Sequence, residues 1–148
     1  MIRKKYIAFF IISLLGFTKI SLSQQLCLHI DSIKVYSLPW NLHTVIALDE
    51  QAVRNFEITN LKKVNPKFEK QIKIFKDYES INGFVAIDLT KAHELKNKEI
   101  DARIVIDLYY TGGIISLPIN AQQCYKYLGK SYNINISLDK WISKNISN

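Results

Sequence analysis

The chain has 148 residues, of which 48% are hydrophobic and 22% charged, a balance typical of one globular domain. Its 20 basic and 13 acidic residues give a formal net charge of +7 at pH 7. The basic residues are spread along the chain and form no arginine-rich stripe, which argues against a nucleic-acid-binding protein.

The start of the chain has the layout of an export signal. A basic head at residues 3–5 precedes an apolar run at residues 7–17, and residues 21–23 supply the small serines that a signal peptidase reads. We therefore expect a signal peptide over residues 1–23, with Gln24 as the first mature residue. The mature protein is then periplasmic or secreted.

Two alternatives to cleavage are weaker. A membrane anchor needs about 20 apolar residues, and Thr18 and Lys19 interrupt the run before that length. A lipoprotein would use Cys27, but the residues directly before it are not small. Cleavage removes four basic residues and no acidic one, which leaves 16 basic and 13 acidic residues and a net charge of about +3. No membrane span is expected after cleavage.

Residues 24–148 are predicted to form a single domain with one disulfide. The mature chain contains two cysteines, Cys27 and Cys124, an even count in a compartment where disulfides persist. A bond between them would close a loop of nearly the whole domain, for which the chain-entropy model gives about 4 to 5 kcal/mol. Two separate buried thiols are the alternative left open.

The first part of the mature chain is predicted to fold into short elements. In order, these are a strand (26–38), a turn (39–41), a strand (44–48), a helical turn (49–54) and a strand (56–61). The apolar positions of the first strand change phase at Asp31 and Ser32, which indicates a bulge or bend there. The helical turn begins at Asp49, whose carboxylate can accept backbone N–H bonds.

A longer helix is predicted next. Asn65 and Pro66 form a typical helix start, because asparagine caps and proline gives up an N–H that would be unbonded anyway. The apolar positions that follow share one helical face: Phe68, Ile72, Phe75 and Tyr78. The helix is expected to end near Ser80, before a turn at Asn82 and Gly83.

The second half of the chain is dominated by strands. The strongest strand pattern covers residues 102–110 and continues through a turn at Gly112 and Gly113 into an antiparallel neighbour. Around this hairpin we expect a strand (84–89), a short helix or ordered loop (90–98), a small hairpin (124–134) and a last helix. Ser137 is the expected cap of that helix. Its predicted buried side consists of Leu138, Trp141, Ile142 and Ile146.

These elements predict an α+β domain with an antiparallel or mixed sheet and two helices packed on one face. Strands follow one another without the regular βαβ alternation of a doubly wound fold. The strand order is not predicted.

No catalytic, metal or cofactor site is predicted. Cys27, His29 and Asp31 alternate along one strand and could share a face, but paired ligand motifs typical of structural zinc are missing and Cys27 is expected in the disulfide. Of the two other histidines, His43 lies in the loop predicted after Trp40 and His93 lies in a polar stretch, and neither has a nucleophile motif nearby.

The carboxylates fit structural roles. Asp88 and Asp107 can be named as a pair for glycoside hydrolysis, but nothing in their spacing selects them. Asp101 and Asp107 are expected to pair with Arg103 or with neighbouring lysines on the solvent face of the sheet.

Aromatic residues supply the candidate contact surface. Exposed tyrosine and tryptophan side chains add contact area to a binding surface at low entropic cost. We select Trp40, His43, Tyr109 and Tyr127. The alternative left open is that the aromatic side chains cover the second face of the sheet. The leading hypothesis is a non-catalytic protein-binding module of the cell envelope, of the inhibitor or immunity type. The alternatives are a small periplasmic hydrolase with a dispersed histidine and carboxylate site, or a structural accessory subunit of an envelope complex.

Overall fold

The computed structural model describes residues 29–42, 44, 46–57, 69–96 and 99–146. These residues form β1 (Ile30–Ser37), α1 (Glu50–Asn55), β2 (Gln71–Phe75), α2 (Tyr78–Val85), β3 (Glu94–Leu95), β4 (Ala102–Tyr110), β5 (Gly113–Asn120), β6 (Cys124–Tyr127), β7 (Lys130–Asn133) and α3 (Ile136–Asn145). The strands make one antiparallel sheet in the order β2-β1-β4-β5-β6-β7-β3. The predicted α+β class and antiparallel sheet are confirmed, with three helices in this part of the chain.

Two groups of buried side chains lie against the sheet. The first cluster includes Ile33, Val35, Ile104, Ile106, Leu108, Leu117 and Ile119 from the strands, together with Phe84 of α2 and Leu138, Trp141 and Ile142 of α3. The second cluster contains Tyr36, Leu38, Leu42, Leu48, Val53, Ala102 and Val105. Neighbouring residues of a strand point to opposite faces, so β1 and β4 contribute to both clusters. No helix among the described residues has the length and apolar character needed to cross a bilayer.

The central strands agree with the sequence analysis. The register of β1 against β4 shifts between Ile30 and Ser32, as expected for a bulge at Asp31. The two predicted hairpins form β4 with β5 and β6 with β7. Asp49 caps α1 by accepting a hydrogen bond from the Ala52 N–H at 2.7 Å, which confirms the predicted helical turn.

The predicted helix before Ser80 is wrong for residues 71–75, which form strand β2. The segment Gln71–Phe75 alternates polar and apolar residues, and its pairing with β1 places Phe75 opposite Ile33. Helix α2 begins only at Tyr78, after Asp77, whose carboxylate accepts from the Ser80 N–H at 2.8 Å. Tertiary pairing therefore overrides the helical spacing of the apolar residues. Residues 65, 66 and 68 lie outside the described residues.

Helix α2 also replaces a predicted turn and strand. It continues through Asn82 and Gly83 to Val85, and the Ala86 N–H bonds to the Asn82 carbonyl at 3.0 Å. The reason is packing: Phe84 is buried edge-on against Trp141 of α3, with ring centroids 4.9 Å apart.

Four further local predictions are compared with the structure. The described residues of 44–48 are not in a strand; instead Leu48 pairs with the start of β4, where its carbonyl accepts from Ala102 N–H at 2.8 Å. The segment 90–98 contributes the two-residue strand β3 and no helix among its described residues. Helix α3 is capped by Asn135 instead of Ser137, through a 2.9 Å bond from the Leu138 N–H. Of residues 56–61, only Phe56 and Glu57 are described, and neither is in a strand.

Two glycines give a matched test of this backbone. Gly83 lies inside α2, where an added Cβ would meet the Trp141 ring at an ordinary 3.8 Å. Gly129 has φ +79° in the β6–β7 turn, with open space around it. We expect Gly83→Ala to raise the free energy of unfolding by about 0.5 to 1 kcal/mol, because alanine loses less backbone entropy in a helix. Gly129→Ala should lower it by about 1 kcal/mol through left-handed backbone strain.

Urea denaturation of both variants and the parent measures the two free energies. Equal effects of the same sign would contradict the helical assignment of residues 82–83.

Candidate contact surface

One face of the sheet, named here the open face, differs from the face that carries the first cluster. Its side chains come from the alternate positions of four neighbouring strands: Lys34 and Tyr36, Ile72 and Ile74, Asp107 and Tyr109, and Ile114 and Ser116. Helix α1 contributes Val53 to the second cluster beside Tyr36 and Val105. The open face therefore has a part in contact with α1 and a part that reaches the sheet edge at β2.

A buried ion pair joins α1 to the open face. Arg54 binds Asp107 in a bidentate manner, with Nε to Oδ2 at 2.8 Å and Nη2 to Oδ1 at 2.6 Å. Ser116 donates to the same carboxylate at 2.7 Å and accepts from Arg54 at 2.7 Å. The hydrogen bonds to Asp107 raise the pKa of Arg54. The prediction that Asp107 lies on a solvent face is wrong, because its side chain is only 2% exposed.

Two lysines converge on Tyr36. Lys34 Nζ lies 4.9 Å from the centroid of the Tyr36 ring, and Lys70 Nζ lies 5.7 Å from it. A hydrogen bond with Tyr36 raises the pKa of Lys34, whereas burial and the positive charge of Lys34 lower the pKa of Lys70. Lys70 also donates to the carbonyl oxygens of Arg54 and Phe56. The open face thus carries more positive than negative charge.

Three isoleucines on the open face are largely exposed. Ile72, Ile74 and Ile114 retain 51%, 57% and 53% of their accessible surface. Ile72 and Ile74 belong to β2, which is the last strand on that side among the described residues, so apolar side chains lie next to a strand edge. Exposed apolar area of this kind marks interaction surfaces. The sequence analysis assigned Ile72 to a helix; the alternation in residues 71–75 is the signal that could have identified it.

The four residues selected from the sequence do not form one surface. Tyr109 is half-buried on the open face, opposite Ile114. Trp40 is 38% exposed and lies beyond the other end of β1, in the turn closed by the Leu42 N–H to Pro39 carbonyl bond. Tyr127 is a core residue of the first cluster and not a surface residue. His43 lies outside the described residues.

Trp40 instead lines a groove of about 460 Å³ beside α3. The other lining residues are Ala121, Gln123, Ile134, Asp139, Ile142, Ser143 and Ile146. This groove is separate from the open face, whose residues are absent from its lining among the described residues.

The predicted disulfide stays a prediction, because Cys27 lies outside the described residues. Cys124 is buried, and its N–H bonds to the Asn120 side chain at 2.8 Å. Cys124 stands level with Ala102 of β4, whereas Ile30 pairs with Tyr110 at the opposite end, about 26 Å along the strand. Three residues of extended chain span about 11 Å. A bond from Cys27 to Cys124 would therefore require the start of β1 to leave its pairing.

The two histidines in the described part of the chain, His29 and His93, are both exposed. His29 Nε2 lies 3.8 Å from Asp31 Oδ1, and both line a cavity of about 270 Å³ with Lys76 and Tyr78, but the His29 side chain is 89% exposed. His93 is also exposed. Among the described residues, no group of three side chains is arranged to hold a metal ion.

Asp101 and Arg103 do form the predicted pair, with Nη1 to Oδ1 at 2.5 Å. Arg103, however, is 4% exposed and is not on a solvent face. Burial opposes ionisation of Asp101, but hydrogen bonds from Arg103 and from the Leu48 N–H outweigh it and lower the pKa of Asp101.

No protein-family model, curated protein or solved structure matches this chain at a significant level.

The Arg54–Asp107 pair generates a stability prediction. Arg54→Ala leaves a buried carboxylate with Ser116 alone, and we expect a loss of about 3 kcal/mol or more in the free energy of unfolding. The double variant Arg54→Met with Asp107→Leu should recover most of that loss, because no uncompensated charge remains. Denaturant titration of the single and double variants measures both values.

Lys144→Met is the matched control, since it breaks an ion pair with Glu79 whose side chains are both largely exposed. It should change stability little. An Arg54→Ala effect no larger than this control would show that the pair does not hold α1 to the sheet.

Proposed function

We propose that this protein is a non-catalytic protein-binding module of the cell envelope, of the inhibitor or immunity type, whose partner contacts the open face. The observation that carries the proposal is the exposure of three isoleucines on this face, Ile72 and Ile74 on the edge strand β2 and Ile114 on the inner strand β5. Large apolar side chains that are exposed together, as distinct from a single exposed residue, mark interaction surfaces.

The arrangement of the helices supports this choice of face. We propose that α2 and α3 pack together on the face opposite the isoleucines. Phe84 and Trp141 belong to the same buried cluster as Val35 and Ile106, and the Trp141 indole N–H donates to the Ser80 carbonyl at 3.2 Å. Helix α1 is short: Val53 packs in the second cluster with Tyr36, and Arg54 binds Asp107 and Ser116. A partner would then find the β2 end of the open face accessible.

Charge indicates the chemistry of the partner. Lys34 and Lys70 lie near one ring, and the carboxylate on this face, Asp107, is already engaged by Arg54. A partner that presents apolar side chains to Ile72 and Ile74 and carboxylates to the lysines would bury apolar area and relieve the repulsion between two ammonium groups. We therefore propose an acidic protein partner.

The alternative of a small hydrolase rests on the cavity that holds His29, Asp31, Lys76 and Tyr78. It contains the histidine and carboxylate that such a site needs, and Asp31 could orient the imidazole. The exposure of His29 favours the binding function over this one. Undiminished hydrolysis by a His29→Ala variant would exclude this cavity as its site, and full activity after replacement of His29, His43 and His93 would remove a histidine-based site altogether.

Site-specific photo-cross-linking in the producing cells tests the proposed face. A benzophenone amino acid at position 74 should give a discrete adduct with one protein, because the side chain points into the contact. The same probe at Ile136 of α3, which is 71% exposed, is the matched control and should give none.

Charge reversal adds a second measurement to this experiment. Lys34→Glu should lower the yield at position 74, whereas Lys140→Glu, an exposed change on α3, should leave it unchanged. Equal adducts at positions 74 and 136, or none at either, would reject the open face as the contact surface.

We also propose export with removal of residues 1–23, which is supported by the basic head and apolar run of the sequence. The intact mass of the protein from the envelope fraction should equal that of a chain that begins at Gln24. A mass equal to that of the chain with residues 1–23 still attached would contradict cleavage.

Alkylation of the same sample with and without reduction tests the Cys27–Cys124 disulfide, because paired thiols take up the reagent only after reduction.

A further inference from the structure

The groove beside α3 is built between two turns that are both held by buried polar side chains. One wall is Trp40 in the turn after β1, and the other is formed by Ala121 and Gln123 between β5 and β6. Its volume of about 460 Å³ is within the range of small-molecule sites.

Arg103 fixes the Trp40 turn. Its guanidinium donates to the Leu42 carbonyl through Nε at 3.2 Å and Nη2 at 2.9 Å, and Asp101 binds the same guanidinium. The Leu38 N–H in turn donates to the Arg103 carbonyl at 2.8 Å. Leu38 and Leu42 are both buried, so the turn is anchored on either side of Trp40. An exposed indole is thus presented by a rigid backbone, which lowers the entropic cost of binding.

Asn120 fixes the opposite wall. Its buried side chain accepts the Cys124 N–H at 2.8 Å, and its carbonyl accepts the Gln123 N–H at 3.2 Å. Gln123 is held at φ +58°, a left-handed conformation that a non-glycine residue adopts at a cost of about 1 kcal/mol. Its carbonyl accepts from the Ile134 N–H at 2.7 Å. Buried side chains therefore hold both turns that line the groove, as in preorganised sites.

The groove is lined by apolar side chains and one charged side chain. Ile134, Ile142 and Ile146 supply the apolar part, and Asp139 is the charged residue among the described lining side chains. No donor side chain in the described part of the protein is hydrogen-bonded to the Asp139 carboxylate. A carboxylate and an exposed indole that line the same groove are the chemistry that recognises an organic ammonium group.

We propose that this groove is a binding site for a small organic cation, an ammonium group on an apolar body. The apolar body packs on the isoleucines, and Trp40 and Asp139 contact the ammonium group. This site is distinct from the open face and does not depend on the proposed function.

The indole N–H resonances of ¹⁵N-labelled protein test the proposal. The chain has two tryptophans, and Trp40 lines the groove whereas Trp141 lies in the core. n-Hexylammonium is the probe. It should shift the Trp40 resonance saturably and leave Trp141, a core residue, unmoved as an internal control. n-Hexanol, which has the same apolar chain without the charge, should bind about fivefold or more weakly.

Asp139→Asn should weaken hexylammonium binding to the level of hexanol. Asp31→Asn, the same change at the other end of β1, should leave binding unchanged. The proposal is overturned if hexylammonium and hexanol bind the parent equally, if Trp40 does not respond, or if Trp141 shifts alongside it. The comparison of the two probes needs no variant, so it holds even where Asp139→Asn disturbs α3.

Discussion

The fold depends on the burial of both faces of strand β4. Ile104, Ile106 and Leu108 enter the first cluster, while Val105 enters the second. A strand covered on two sides cannot leave polar groups unsatisfied, and β4 also carries Arg103 and Asp107 in its interior. Each charged side chain is therefore matched to a partner from elsewhere in the chain.

These two charged side chains hold two segments of the chain against the sheet. Asp107 holds α1 through Arg54, and Arg103 holds the Trp40 turn through the Leu42 carbonyl. Both contacts are charge-assisted hydrogen bonds, which have stricter geometry than apolar packing. Apolar burial stabilises the sheet, whereas these polar contacts decide where α1 and the turn are placed on it.

The same arrangement separates two surfaces with different chemistry. The β2 end of the open face combines exposed isoleucines with Lys34 and Lys70, and it is broad and positively charged. The groove at Trp40 is smaller and its charged residue is Asp139. A broad surface suits a protein partner, and a narrow groove suits a small molecule, so one domain of this size can carry both.

The sequence by itself determined the elements whose pattern is local. The alternation of residues 102–110, the bulge at Asp31, the cap at Asp49, both hairpins and the buried side of α3 all follow from side-chain period and turn chemistry. Tertiary structure decided the rest. Ile72 and Phe75 fit a helical stripe as well as a strand, and only pairing with β1 selects the strand. The sequence alternation predicted Asp107 and Arg103 on a solvent face of the sheet. Alternation cannot show that other segments of the chain cover that face. The candidate surfaces were accessible from the sequence only at Trp40 and Tyr109, since their other residues are brought together by strand order, which depends on contacts between segments far apart in the chain.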